Sequence, residues 1–193
     1  MAQIPHAEAY PKVFRLQGGA RAEISPLDEK DGEALLAFFR RVPEEDLYYL
    51  KDDVTNPEVI REWTTKIDVE RAIPLKTVVE GEIVADGTLH RSRAFARRHI
   101  GDLRILVDPK YRQKGLGRRL IQELLDIAVE LDLYKVIIDL VPTREGSAME
   151  LVEGMGFVHV ATLSGGIRDY YGDYKDLMTF EVSLSDRETW WKS

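Results

Sequence analysis

The feature that most constrains the fold is a long amphipathic helix between two strand-like segments. Its apolar residues form one helical stripe, made of Leu116, Leu120, Leu124, Ile127, Ala128 and Leu131. Such spacing buries one face of a helix. Residues 100–107 before the helix alternate in part and end at Asp108-Pro109, a turn signal. Residues 136–141 after it form an apolar run with one acid, which predicts a strand buried on both faces.

The rest of the chain supplies further strands and helices in an order typical of an α/β fold. Gly18-Gly19 separates two strand-like runs, which predicts a hairpin over residues 13–24. Apolar runs predict strands over residues 77–80, 83–89, 157–163 and 177–184, and helical spacing predicts helices over residues 28–41, 57–65 and 146–154. This order predicts a sheet with mixed strand directions. No Pro/Gly/Ser-rich linker interrupts the 193 residues, so we expect one domain, preceded by an arm over residues 1–11.

Composition excludes several classes of function. The 27 Lys+Arg and 34 Asp+Glu give a net charge of −7, which argues against duplex nucleic acid as a partner. Zero cysteines exclude a disulfide framework, a thiolate zinc site and a cysteine nucleophile. The histidines are scattered, which argues against a metal site: His6, His90, His99 and His159. No apolar run approaches the ~18 residues that span a membrane. The N-terminus lacks the pattern of a secretory signal, so we expect a cytoplasmic protein.

The sharpest local feature is the segment between the first strand-like run and the long helix. Gly115 and Gly117 let the backbone approach a ligand, and a helix N-terminus favours an anion. Basic residues cluster there despite the acidic balance of the chain: Lys110, Arg112, Lys114, Arg118 and Arg119. A Walker A loop and a complete Rossmann fingerprint are both absent. The segment therefore predicts either a phosphate site or a glycine-containing turn with a solvated basic face.

Two motifs in the chain resemble those of a known family. Residues 107–109 followed by residues 112–117, Arg-Gln-Lys-Gly-Leu-Gly, are similar to the acetyl-CoA-binding motif Q/R-x-x-G-x-G/A of the GNAT superfamily. Residues 148–157, which end in Gly156-Phe157, resemble a short helix of the same acyl-CoA-dependent N-acetyltransferases. The resemblance implies a GNAT domain over residues 21–184, an arm with the first hairpin strand over 1–20, and a tail over 185–193.

The resemblance also implies a fold and a binding mode for acetyl-CoA. The fold is a mixed, mainly antiparallel central sheet of seven or slightly fewer strands, with splayed fourth and fifth strands. Backbone groups of Leu106 and Val107 would pair with the pantetheine arm. Backbone N–H groups would hold the pyrophosphate, namely those of Gln113, Lys114, Gly115, Leu116, Gly117 and Arg118. The Arg112 side chain would either fix the loop or touch a phosphate.

The implied chemistry is direct attack of a primary amine on the thioester, which requires a base for the amine proton. Asp102 is the first candidate for that base, because GNAT protein acetyltransferases carry a Glu at this position. Its alternative role is a strand carboxylate paired with Arg104 or Arg97. The Val107 N–H is the expected donor to the thioester oxygen.

The sequence departs from the family pattern at two positions. Val152 stands where many relatives have a Tyr acid, and Glu145 stands where an Asn is frequent. The substitutes considered are Ser147, Tyr170, Tyr171 and Tyr174 as hydroxyl donors, and His90 and His99 as bases. Each also has a purely structural interpretation, such as a helix cap or a surface residue.

The acceptor side is expected from residues 28–72 and 165–175. It includes an acidic run, which predicts either attraction of a cationic amine or a solvated face: Glu44, Glu45, Asp46, Asp52 and Asp53. The aromatic residues there are either core or acceptor surface: Phe38, Phe39, Tyr48, Tyr49 and Trp63. Residues 38–41 and 52–55 resemble bacterial protein-lysine acetyltransferases, which favours a protein lysine. A small-molecule amine and a CoA-binding sensor are the alternatives. The arm and the final strands offer surfaces for a homodimer, and Trp190-Trp191 has no assigned role.

Overall fold

The computed structural model describes residues 4–5, 7–50 and 52–185. The strands are β1 (Lys12–Arg15), β2 (Arg21–Pro26), β3 (Ala72–Val79), β4 (Glu82–Arg91), β5 (Ile100–Val107), β6 (Lys135–Leu140), β7 (Val158–Arg168) and β8 (Tyr174–Ser183). The helices are α1 (Gly32–Phe39), α2 (Glu44–Leu47), α3 (Pro57–Thr65), α4 (Leu116–Glu130) and α5 (Gly146–Glu153). Trp190 and Trp191 lie outside the described residues. In the described ranges, no helix is long and apolar enough to span a membrane.

All strands join one sheet in the order β1-β2-β3-β4-β5-β6-β8-β7. Neighbouring strands are antiparallel except β5 and β6, which run parallel. The prediction of a mixed, mainly antiparallel sheet is therefore confirmed. The expected number of seven or slightly fewer strands is wrong, because the described residues form a sheet of eight. The additional strand is β1, which pairs with β2 through the predicted hairpin, so the fourth and fifth strands of the prediction are β5 and β6.

The parallel pair separates soon after it forms. Ile100, Gly101 and Asp102 of β5 pair with three residues of β6, and the register extends no further along these two strands. The predicted splay is therefore present, and it leaves a gap beside the second half of β5. This gap corrects the expectation that residues 136–141 are buried on both faces. Val136 and Ile138 are buried, whereas Ile137 and Asp139, on the other face, are half-buried and line the gap.

The two faces of the sheet carry separate cores. The long helix α4 covers one face with the predicted apolar stripe, and Leu120 and Leu124 are fully buried. Glycine on β4 lets this helix come close, since a Cβ on Gly87 would lie 2.7 Å from Leu120 Cδ2. Helices α1 and α3 cover the other face. There Phe38 and Phe39 are buried in the core, so the core interpretation of these aromatic residues is correct.

The N-terminal hairpin is tied to α4 by a buried carboxylate. Glu123, whose side chain is 2% exposed, pairs with Lys12 of β1 at 2.6 Å and with Arg119 at 2.9 Å. Tyr10 of the arm packs against the same core, and burial and the charge of Glu123 raise its pKa. Arg119, one of the five basic residues of the motif segment, therefore pairs with the carboxylate that binds Lys12 of the hairpin.

Candidate functional site

The gap between β5 and β6 continues into a cleft of about 1930 Å³, whose lining includes residues of α1 and α3 and residues of α4 and α5. The predicted binding residues that line it are Leu106, Val107, Arg112, Gln113, Gly115, Gly117 and Arg118. Lys114 and Leu116 are not part of the lining, and Leu116 is buried in the core. Their predicted contribution is a backbone N–H, which does not need an exposed side chain.

The loop at one end of the cleft has the geometry of an anion site. Gly115 is the residue before α4 and has φ +82°, a left-handed conformation that favours glycine. No side chain caps the helix, so its first N–H groups face the ligand side without a side-chain acceptor. A Cβ on Gly117 would contact Leu151 Cδ2 at 3.5 Å. The backbone donors and the positive helix end fit a pyrophosphate group.

The Arg112 side chain fixes this loop. Its Nε donates to the carbonyl oxygen of Val107 at 3.1 Å, and its Nη2 donates to Asp46 Oδ2 at 2.7 Å. Of the two predicted roles for Arg112, the contacts therefore match the loop-fixing one. The turn before it is anchored by Asp108, which is buried and accepts from the Lys110 N–H at 2.9 Å and from Arg41 Nε at 3.3 Å.

A bridge of one carboxylate and two arginines joins the two edges of the cleft. Asp46 of α2 accepts hydrogen bonds from Arg112, which follows β5, and from Arg144, which follows β6. Burial alone would raise the pKa of Asp46, but the two guanidinium groups bring it below its usual value. Sequence reasoning missed this bridge, because its members are 66 and 98 residues apart.

Two further carboxylates of the acidic run, Glu44 and Glu45, accept hydrogen bonds from the β7–β8 loop. Tyr170 donates its hydroxyl to Glu44 at 2.9 Å, and Tyr171 donates to Glu45 at 2.9 Å. The rings of Tyr48 and Tyr170 lie 5.8 Å apart in an edge-to-face arrangement. The β7–β8 loop is therefore docked on α2, while Glu44, Asp52 and Asp53 are exposed, as the solvated-face interpretation expects.

Asp102 occupies the cleft face of β5, opposite His90 of β4. Its Oδ2 pairs with Arg104 Nη2 at 3.3 Å, which is one of the structural roles weighed for it. Its Oδ1 is buried and, among the described residues, has no hydrogen-bond partner. His90 lines the cleft, whereas His99 packs beside Tyr134 with ring centroids 6.1 Å apart.

The positions that depart from the family pattern have structural roles. Glu145 accepts the Val141 N–H at 2.6 Å and so holds the end of β6, while burial raises its pKa. Val152 is 1% exposed and belongs to the core. Two hydroxyls nevertheless line the cleft nearby, those of Ser147 and Tyr49. Burial raises the pKa of Tyr49, so it stays protonated and able to donate.

Asp86 is a site residue that the sequence reasoning missed. It lies on β4 between Lys76 of β3 and Leu106 of β5, and it lines the cleft. The residue is half-buried, and loss of hydration raises the pKa of its carboxyl to about 7. The sequence does contain one feature that could have indicated this residue: Asp86 is the single acidic residue in the apolar run of residues 83–89.

Comparisons with known proteins agree with this geometry. Residues 33–157 match the model of the acetyltransferase (GNAT) family. The chain is 40% identical over 68 residues to a probable glucosamine 6-phosphate N-acetyltransferase 2 of Oryza sativa subsp. japonica, covering 33% of this chain and 40% of that protein. It is 37% identical over 78 residues to N-alpha-acetyltransferase 30 of Xenopus laevis, covering 40% of this chain and 27% of that protein.

The matched segments thus span about a quarter to two fifths of these relatives. In fold, the chain is similar to yncA of Salmonella typhimurium, which was solved with its cofactor acetyl-CoA. The TM-score is 0.73 at 18% identity, covering 86% of this chain and 95% of that one. Because the family model covers more than half of the sequence, the chain belongs to the GNAT family of acetyl-CoA-dependent acetyltransferases.

Proposed function

We propose that the protein is an N-acetyltransferase that moves an acetyl group from acetyl-CoA to a primary amine by direct attack. The observation that carries the proposal is the gap between β5 and β6, which opens onto the uncapped N-terminus of α4. This arrangement supports an anion site beside a strand edge along one cleft. Both are needed to hold a long molecule that bears phosphates at one end.

The binding roles follow the predicted residues. Backbone groups of Leu106 and Val107 are proposed to add a strand-like ligand on the side where β6 has separated, with the Val107 carbonyl oxygen already accepting from Arg112. The N–H groups of residues 113–118 receive the pyrophosphate, with Arg112 holding the loop. The Val107 N–H is proposed to stabilise the thioester oxygen as it gains charge. Bound acetyl-CoA supplies the activated acetyl group.

The base and acid come from the lining of the cleft. We propose a carboxylate of the cleft as the base: the family pattern points to Asp102, whose Oδ1 has no partner among the described residues, and Asp86 lines the same cleft. With Val152 in the core, we propose Tyr49 or Ser147 as the proton donor to the leaving thiolate, because both hydroxyls line the cleft.

The acceptor that we propose first is a protein lysine, on the resemblance of residues 38–41 and 52–55. The names of the relatives point instead to an amino sugar phosphate or a protein N-terminus. A panel of lysine peptides, free N-terminal peptides, polyamines and glucosamine 6-phosphate, followed by release of CoA, separates these acceptors. Tight acetyl-CoA binding without turnover on any of them would identify a CoA sensor instead.

Calorimetric titration with acetyl-CoA tests the binding site. The variant is Gly115→Asp, which places a negative charge and a strained φ in the loop. Its matched control is Gly81→Asp, because Gly81 has φ +83° in the β3–β4 turn and is likewise open to solvent. We expect micromolar binding by the wild type and by the control, and loss of binding by Gly115→Asp. Absence of binding by the wild type would contradict the proposal.

A further inference from the structure

We propose that Asp86 is the catalytic base, the carboxylate that takes the proton from the acceptor amine. This inference rests on the proposed acetyl transfer and assigns a residue of the same cleft. The base predicted from the sequence was Asp102, which lies on the neighbouring strand β5 and pairs with Arg104.

The sheet register places Asp86 at the reacting end of the cleft. Asp86 lies directly opposite Leu106, so the two side chains share one face of the sheet. Leu106 is where the backbone of β5 is proposed to pair with the pantetheine arm, next to the Val107 N–H. Asp102 is four residues earlier on β5, which corresponds to about 13 Å along the strand. Asp86 is therefore the nearer carboxylate to the thioester.

Asp86 is also the less engaged of the two carboxylates. Within the described ranges, its side chain makes no hydrogen bond or ion pair, whereas Asp102 pairs with Arg104. Its opposite neighbour on β3, Lys76, is held by Asp31. The cleft lining carries further charged groups, among them His90 and Arg91 of β4, Arg104 and Asp102 of β5, Asp68 and Arg71 before β3, Asp139 of β6, and Glu62 and Lys66 at α3, and Arg41 follows α1. Arg41 is bound to Asp108, and Lys66 to Glu62.

The environment of Asp86 suits proton transfer from an amine. Alkylammonium groups have a pKa of about 10.4, and an ordinary Asp has one of about 3.9. Burial raises the pKa of Asp86 to about 7, which reduces the mismatch while leaving a usable ionised fraction at neutral pH.

The step balances with the groups named. Asp86 takes one proton from the ammonium, and the neutral amine attacks the acetyl carbon. As the new C–N bond forms and the C–S bond breaks, the nitrogen loses its second proton to the departing thiolate, directly or through a hydroxyl of the cleft. Asp86 then releases its proton to solvent, which leaves an amide, the free thiol of CoA and one proton.

The test compares Asp86→Asn with the same substitution at Asp132, an exposed residue after α4 whose φ of +53° asparagine also tolerates. We expect kcat to fall about 100- to 1,000-fold in Asp86→Asn and to stay at the wild-type value in Asp132→Asn. A comparable fall in Asp102→Asn with wild-type kcat in Asp86→Asn would assign the base to Asp102 instead. Wild-type kcat should rise with pH to a plateau above about pH 7, and Asp86→Asn should lose this rise. Calorimetry should give both variants the acetyl-CoA affinity of the wild type.

A readout independent of activity is the titration of Asp86, followed by 13C NMR of labelled aspartate. The resonance that Asp86→Asn removes should titrate near pH 7 in the acetyl-CoA complex. Titration near pH 4, or wild-type kcat in Asp86→Asn, would overturn the assignment while leaving the acetyltransferase intact. Absence of turnover by the wild type on every amine would overturn both.

Discussion

The two faces of the β4–β5 strand pair differ sharply although they are built from alternating residues of the same segments. Toward α4, β4 presents Gly87 and Leu89, which are buried in a closely packed apolar core. Toward the cleft it presents Asp86 and His90, opposite Leu106 and Asp102 of β5. Because successive side chains of a strand point to opposite faces, one face of this strand pair packs in the apolar core and the other face lines the cleft.

The residues of the two faces also differ in how they contribute to the stability of the fold. On the α4 face the neighbours of Gly87 are the apolar side chains of Leu120 and Ile105, and deletion of an apolar side chain there leaves a void. On the cleft face, Asp102 Oδ1 is buried without a partner among the described residues, and loss of hydration raises the pKa of the Asp86 carboxyl. Polar groups without partners destabilise a fold and persist where a ligand uses them. Substitutions on the two faces should therefore have opposite signs.

The largest effect is expected from Leu120→Ala on the α4 face. Leu120 is fully buried against Gly87, so truncation should lower the free energy of unfolding by about 2–5 kcal/mol. Denaturant unfolding measures the loss. The control is Leu163→Ala on β7, where the side chain is 62% exposed and a change below about 0.5 kcal/mol is expected. Equal losses at both positions would contradict the comparison.

Asp86→Asn should instead stabilise the protein, and only above acidic pH. The carboxyl has a higher pKa in the folded chain, about 7, than in the unfolded chain, about 3.9. Its ionisation therefore favours unfolding, and wild-type stability should fall as the pH rises from about 4 to 7. At pH 8 the variant should be more stable by up to about 4 kcal/mol, and at pH 4 the difference should vanish. Thermal unfolding across this range checks the sign, and a pH-independent difference would contradict it.

Gly87→Ala should be destabilising by about 1–3 kcal/mol through overpacking. The new Cβ would lie 2.7 Å from Leu120 Cδ2 and 2.9 Å from Ile105 Cδ1. In a Leu120→Ala background the same substitution should be much less harmful, because the contact is removed. Gly146→Ala is the control, since its Cβ would meet no atom within 4 Å. An unchanged effect in the double variant would show that Leu120 is not the obstacle.

The smallest effect is expected from Asp46→Asn, which weakens the bridge between the cleft edges. The loss should be about 1–2 kcal/mol near neutral pH, because Arg112 and Arg144 are partly exposed. The pKa of Asp46 is lowered in the folded chain, so this stabilisation is present above about pH 4 and disappears as the pH falls further. Glu62→Gln, at an exposed ion pair, is the control and should cause no measurable change. A difference that persists at pH 2 would contradict the bridge.

Local patterns predicted much of the fold. The bounds of β5 (Ile100–Val107) and α3 (Pro57–Thr65) agree with the apolar alternation and with the Pro57 start expected for them. The motif over residues 112–117 lies where the sequence placed it, between a strand and the helix that follows. These features depend on neighbours within a few residues, through side-chain periodicity and turn chemistry. They can therefore be read without knowledge of the rest of the chain.

The sequence by itself determined the α/β class, the strand–loop–helix unit and the family to which its motifs belong. Only the tertiary structure decided that Asp46 joins Arg112 to Arg144, and that Asp86 lies opposite Leu106 with its pKa raised by burial. The physical reason is that hydration and cross-strand contacts depend on residues far apart in the chain. Every aspartate has the same carboxyl group, but the pKa of that group depends on the residues that pack around it.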